Sequence, residues 1–276
     1  MDTLFVYLAY GAGTDVPVQL KYSVFTLLRH VPGARDRIVL YTDAPQKYSG
    51  WPVRIQSLAE VVTSYGRDTG YHFILKPLVL QDALRRFGSD VLFLDADTYV
   101  KDGFESDIFW KLKSGAILNE FEKNNPFPEL ADLRIRLPHG REYAYDAQLS
   151  HMYNSGVIGL NRDAEPVLAD SVAIIEALLE RQIGRHTIEQ FALSEMLRIR
   201  GVKIHECDHY LFHYHRQSVK RYVTMKIRKL LPADWDDFDI RGRLSLNALE
   251  KRLFDTQHSL EKRWGSRSAT AQSKTI

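Results

Sequence analysis

The sequence predicts an α/β fold, a mostly parallel sheet flanked by helices on both faces. Three observations predict it. Short apolar, β-favouring runs alternate with longer stretches of helical periodicity through most of the chain. Glycine and proline punctuate the boundaries between them. Apolar residues make up 45% of the 276, too many for a disordered chain and enough for a sizeable core.

The first run, Leu4–Ala9, is short and apolar and reads as a buried strand, followed by a loop containing Gly11 and Gly13. Leu20, Val24, Leu27 and Leu28 then recur at helical spacing until Pro32 and Gly33 stop the helix. Residues 37–43 form a second buried strand and residues 53–58 a weaker third. Residues 73–87 are helical, with Gly88 as the end signal. Residues 90–94 are the clearest buried strand, running straight into Asp95. Residues 156–160 form another strand, 166–182 and 188–200 two amphipathic helices, and 202–205 and 211–215 short late strands. Between them, residues 124–145 carry Pro126, Pro128, Pro138 and Gly140 and are expected to be an irregular insertion near the site, a lid.

After His215 the composition changes. Arg216, Lys220, Arg221, Lys226, Arg228 and Lys229 come without an acid, and Asp234, Asp236, Asp237 and Asp239 follow. The expected division is a main α/β domain over residues 1–215, a basic, helical C-terminal extension over 216–264 and a disordered tail over 265–276.

Composition narrows the chemistry. With 37 Lys and Arg against 35 Asp and Glu, the net charge of +2 provides no field over the whole molecule for nucleic acid. The lone Cys207 excludes an internal disulfide and any cysteine-cluster zinc site, and is expected to be a buried apolar residue. The opening Met1-Asp2-Thr3-Leu4 lacks the charged and apolar regions of a secretory leader, and no window is long and apolar enough to span a bilayer. A cytoplasmic location follows as an expectation. Any metal must be held by carboxylates and histidines.

Asp95-Ala96-Asp97 leaves an apolar strand, so both acids sit at the carboxyl edge of the sheet, where ligands of such folds bind. Hard divalent cations take oxygen ligands and bridge protein carboxylates to a diphosphate. Together with Phe73-Ile74-Leu75-Lys76 and the helix that follows, the segment Asp90-Val-Leu-Phe-Leu-Asp95-Ala-Asp97-Thr98 resembles glycosyltransferase family 8, which includes glycogenin and bacterial lipopolysaccharide galactosyl- and glucosyltransferases. The resemblance implies a GT-A (Rossmann-like) fold, a UDP-sugar donor, Mn²⁺ (or Mg²⁺) and retention of anomeric configuration. It implies metal roles for Asp95 and Asp97 in this DxD motif and donor contacts for Lys76 and Asp95.

Two further segments follow the family's order. Met152-Tyr153-Asn154-Ser155-Gly156-Val157 resembles its N-S-G-V segment, which implies that Asn154 faces donor sugar hydroxyls. Ile188-Glu189-Gln190-Phe191 stands where the family has Asp-Gln, implying catalytic positions for Glu189 and Gln190, with Glu in place of Asp adding a methylene. The family also carries a metal-binding histidine followed by a phosphate-binding lysine. His215 with Lys220 and Arg221 is the reading here, and His213 is its alternative, since both would share one face of a late strand. His205 and His209 are expected to be structural. Tyr7, Ala9 and Tyr10 end the first strand, where GT-A folds hold the uracil; the two tyrosines would stack on the base, unless they belong to the core.

The expected activity is therefore a metal-dependent glycosyltransferase, hexosyltransferase-like, acting from a nucleotide sugar on a saccharide, lipid-linked or protein acceptor. No residue stands out as a covalent nucleophile, Glu189 being the alternative one, so front-face displacement is expected. An inverting GT-A enzyme, with Glu189 or an acid of residues 124–146 as base, and a non-catalytic nucleotide-sugar-binding module are the alternatives. A nucleotidyltransferase would need a basic glycine-rich loop after the first strand, and Gly11-Ala12-Gly13-Thr14 has no Lys or Arg. The basic residues of 216–229, interleaved with Tyr222, Val223, Met225 and Ile227, suit either peripheral contact with an anionic membrane or an ordinary solvated helix face.

Overall fold

The computed structural model describes residues 3–138, 140–231 and 235. The chain runs β1 (Leu4–Ala9), α1 (Asp15–His30), β2 (Ile38–Thr42), β3 (Arg54–Ser57), α2 (Leu58–Tyr65), α3 (Leu75–Phe87), β4 (Val91–Leu94) and β5 (Thr98–Val100). Then follow α4 (Phe104–Ser114), β6 (Ala116–Leu118), β7 (Phe121–Asn124), β8 (Arg134–Arg136), β9 (Glu142–Ala144), β10 (His151–Tyr153) and β11 (Val157–Leu160). The last described elements are α5 (Glu165–Glu180), α6 (Ile188–Ile199), β12 (Ile204–Glu206), β13 (Leu211–His213) and α7 (Gln217–Leu230). The chain divides between His213 and Tyr214 into two units.

The first unit is built on a seven-stranded sheet in the order β12-β6-β11-β4-β1-β2-β3. Its pairs are parallel except those of β11, which is antiparallel to both β4 and β6. Helices cover both faces, which is why the central strands read as unbroken apolar runs. Leu4 and Val6 of β1, Val39 and Tyr41 of β2, and Val91 and Phe93 of β4 join one core with Leu80, Ile174 and Phe191 from α3, α5 and α6. The alternate residues face the other way, where the Tyr7 hydroxyl lies 3.0 Å from Ser23 Oγ of α1.

Gly88 ends α3 in the left-handed region at φ 60°, its N–H donating to Leu84 O at 2.9 Å, as its position after the last apolar repeat predicts. Three small antiparallel sheets complete the unit: β7 with β10, β5 with β13, and β8 with β9. The pairing of β13 with β5 sets His213 opposite Thr98, next to Asp97.

Residues 124–145, expected as an irregular insertion near the site, are anchored in the main core at several apolar positions. Phe127, Leu130, Leu133, Tyr143 and Tyr145 are buried members of the main core, and Phe127 packs 4.7 Å from the Phe191 ring. The Tyr143 hydroxyl donates to the buried Glu195 carboxylate at 3.0 Å. Apolar anchors spaced between turn residues hold the segment down.

In the second unit, α7 carries the basic run as one helix; Tyr222, Val223 and Ile227 are buried, while Arg228 and Lys229 are exposed. No described helix is long and apolar enough to cross a membrane. Beyond residue 235, the extension expected over 216–264 and the tail at 265–276 lie outside the described residues.

Candidate active site

The site forms where β4 ends and β11 begins. Because β11 runs antiparallel, Val157 pairs with Leu94 and the Asn154-Ser155-Gly156 turn meets Asp95 at the same sheet edge. The Asp95 N–H donates to Gly156 O at 2.8 Å, locking the two segments together. Behind them a buried hydroxyl chain braces the aspartate turn. Thr98 Oγ1 donates to Asp95 O at 2.8 Å, so Ser23 Oγ, 3.1 Å away, donates to Thr98, and Tyr7 in turn to Ser23 at 3.0 Å.

Among the described residues one group of acids and histidine is arranged to hold a metal ion: Asp95, Asp97 and His213, with ligand atoms all within 4.8 Å of one another. His213 Nε2 lies 3.4 Å from Asp97 Oδ1 and 3.7 Å from Asp95 Oδ2. Two carboxylate oxygens and an imidazole nitrogen suit a divalent cation of the Mn²⁺ or Mg²⁺ kind. The histidine is the alternative of the two considered. β13 ends at His213, so the shared strand face expected for His213 and His215 does not exist; His215 belongs to the second unit, as do Lys220 and Arg221. His205 is buried with Ser114 Oγ at 2.9 Å, and His209 is exposed.

Gly156 explains the close seat of His213. A Cβ built on Gly156 would lie 2.1 Å from the imidazole ring, so any side chain there would displace it.

Lys76 reaches the group from α3. Its buried Nζ donates to Asp95 Oδ2 at 2.9 Å and to Ser155 O at 3.2 Å. Burial works against its charge, but the carboxylates of Asp95, Glu189 and Asp97 outweigh it and hold the ammonium above the ordinary lysine range. Glu189 enters from the first turn of α6. Burial is the largest influence on its carboxyl, Lys76 opposes it, and the outcome is a group pushed up to about 7. Ser155 Oγ donates to Glu189 Oε2 at 3.1 Å, while Oε1 is buried with no hydrogen-bond partner among the described residues. The Glu189 N–H donates to the Tyr71 hydroxyl at 3.2 Å.

Glu122 of β7 links two of the expected residues. Its Oε1 accepts from Asn154 Nδ2 at 3.0 Å and its Oε2 from Gln190 Nε2 at 2.7 Å. Nothing in the sequence pattern singles it out, because its role depends on β7 pairing with β10 across a long insertion.

Of the expected donor contacts, Tyr7 is a correction. It is fully buried, its hydroxyl committed to Ser23, and it offers a base no face to stack on. Ala9 is buried as well. Tyr10 is half-buried and close enough for Lys76, Asp95 and Glu189 to influence its hydroxyl, with its ring 6.1 Å from that of His72. Cys207 is buried, and burial pushes its thiol up, out of the reactive range.

No protein-family model matches the chain, and no curated protein matches it significantly in sequence. Among solved structures it is similar to mouse xyloside xylosyltransferase 1 in its apo form, with a TM-score of 0.45, 12% identity, and coverage of 75% of this chain and 86% of that one. It is also similar to a structure described as mannose-1-phosphate geranyltransferase from Thermus thermophilus, with a TM-score of 0.36, 16% identity, and coverage of 77% of this chain and 71% of that one. Both likenesses are distant in sequence and in structure, and what the site can do is read from its own side chains.

Proposed function

We propose that the chain is a metal-dependent GT-A glycosyltransferase of the family 8 kind, moving a sugar from a nucleotide sugar, a UDP-sugar by the resemblance, with retention. The observation that carries the reading is the Asp95–Asp97–His213 group at the carboxyl edge of the sheet, with Lys76 and Glu189 beside it. Asp95, Asp97 and His213 would hold Mn²⁺ or Mg²⁺, which when bound offsets the charge of a departing diphosphate.

The chain's own groups then divide the work. Lys76 holds Asp95 in place through a 2.9 Å ion pair, and its charge adds to the positive potential at the edge. Tyr10 is the aromatic left to contact a base once Tyr7 is assigned to the core. Gln190, tethered at its amide nitrogen by Glu122, and Glu189 Oε1, which has no hydrogen-bond partner among the described residues, offer polar atoms to sugar hydroxyls. Lys220 and Arg221 remain proposed phosphate contacts, a cytoplasmic location is proposed with them, and the basic face of α7 a peripheral membrane contact.

One observation favours a second reading. A buried carboxyl pushed up to about 7 is matched to general-base work at neutral pH, which an inverting enzyme requires. The anomeric coupling constant of trapped product, read by NMR, separates the two outcomes.

The test is incubation with a panel of nucleotide sugars and Mn²⁺, following release of free nucleotide. Turnover that falls at least ~100-fold in Asp97→Asn supports the enzyme reading. Metal-dependent nucleotide binding without turnover on any donor would leave a binding module, and neither binding nor turnover would sink the proposal.

A further inference from the structure

We propose that Asn154 and Glu122 form a clamp that fixes the tautomer of His213, placing the proton on Nδ1 and the lone pair on Nε2, toward Asp95 and Asp97. This rests on the metal reading above and assigns Asn154 a different task from the sugar contact that the resemblance implies.

The protonation pattern follows from atoms whose roles are not adjustable. The Gly156 backbone N–H can only donate, and it lies 2.9 Å from one terminal atom of the Asn154 amide, which is therefore the oxygen. The other end faces a Glu122 oxygen at 3.0 Å, and a carboxylate accepts, so that end is the NH₂. Two independent neighbours thus assign the same amide orientation. The assigned oxygen lies 2.9 Å from His213 Nδ1. An amide oxygen requires a donor opposite it, so Nδ1 carries the proton. In the neutral ring Nε2 then carries the lone pair, and this is the nitrogen at 3.4 Å from Asp97 and 3.7 Å from Asp95.

Glu122 is held at both oxygens, Asn154 on one and Gln190 on the other, so it cannot turn without breaking both contacts. The ring has little freedom either, since it lies against Gly156 at a distance that leaves no room for a Cβ. Partners behind a metal-binding histidine commonly set its tautomer and basicity, and their loss costs metal affinity. Asn154 and Glu122 are positioning residues in this sense, acting on the cation through His213. Both lone pairs of Asn154 Oδ1 are taken by Gly156 and His213, which leaves one amide N–H for any other contact.

The first measurement is long-range ¹H–¹⁵N NMR of the metal-free, wild-type protein above the histidine titration range, with His213 assigned by its absence in His213→Gln. A resonance pattern with Nδ1 protonated supports the clamp, and one with Nε2 protonated overturns it. The second is Mn²⁺ affinity by calorimetry. Asn154→Ala is expected to lose about 10- to 100-fold and Glu122→Ala about 10-fold, with Glu122→Asp recovering part of the loss. Glu122 lies on an exposed strand, so its variant reports even where Asn154→Ala fails to fold. Wild-type affinity in a folded Asn154→Ala or Glu122→Ala overturns the clamp. A wild type that binds no Mn²⁺ overturns the metal reading and the purpose of the clamp with it, while the tautomer still decides by itself whether the lock exists.

Discussion

Single atoms decide most of the site, and Gly156 is the clearest case. A methyl group there would meet the His213 ring at 2.1 Å, so Gly156→Ala must push the imidazole away from Asp95 and Asp97. The expected outcome is a loss of Mn²⁺ affinity of about 10-fold or more, at a stability cost of about 1–3 kcal/mol; calorimetry and thermal melting check the two. Glu189 makes a different prediction. Its carboxyl titrates at 4.5 in the unfolded chain and at about 7 in the fold, so between those values the folded state holds a proton that the unfolded state has lost. Its contribution is full below pH 4.5, declines as pH rises to 7 and is flat beyond, a decline on the order of 3 kcal/mol. Denaturant unfolding across that range should show the wild type losing stability relative to Glu189→Gln as pH rises from 4.5 to 7. The two aspartates stand out by residue type and by their place after an apolar strand, whereas Lys76 and the Asn-Ser-Gly turn were singled out only through the family resemblance. Glu122 was not: its meaning comes from two partners, Asn154 and Gln190, that neighbour it only in space.

Elements were legible in proportion to the length of their apolar pattern. β1, β2 and β4 are four or more buried residues in a row, and α3, α5 and α6 each keep a repeating buried stripe. The three-residue strands β12 and β13 show as short β-favouring runs, whereas β5, β6 and β10 of the same length do not stand out, and α4, with Phe104, Ile108 and Leu112 buried, sits among charges that mask its stripe. The 124–145 segment shows the opposite error, where turn residues drew attention from the apolar anchors between them. That correction has a measurable consequence. Phe127→Ala should destabilise the protein by about 3–5 kcal/mol, seen as a shift in the denaturation midpoint, whereas a loose lid would tolerate the change.

At the scale of the whole molecule, the nearly cancelling charge conceals an uneven distribution. Asp95, Asp97, Glu122 and Glu189 gather around one edge of the first unit, with Lys76 the cation hydrogen-bonded to Asp95 there. Mutual repulsion among such groups is relieved by a bound cation, so metal should stabilise the fold as well as serve the site. At a Mn²⁺ concentration 100-fold above its dissociation constant the gain is about 2.7 kcal/mol, which for a chain of this size raises the melting temperature by roughly 5–10 °C. Scanning calorimetry with and without chelator checks it, and Asp97→Asn should abolish the shift.

The reversed strand β11 carries one more consequence, for the order of events during folding. Asp95 and Gly156 meet through a strand pair separated by the whole of α4 and the 124–145 insertion, so the contact closes a long loop and gains nothing until that loop is ordered. The locally encoded β1–α1–β2 stretch can organise without it. Competence to bind a cation therefore arises with the late, non-local step of refolding. A stopped-flow trace of Mn²⁺ uptake during refolding should follow the slowest phase of tertiary structure formation and show no earlier amplitude.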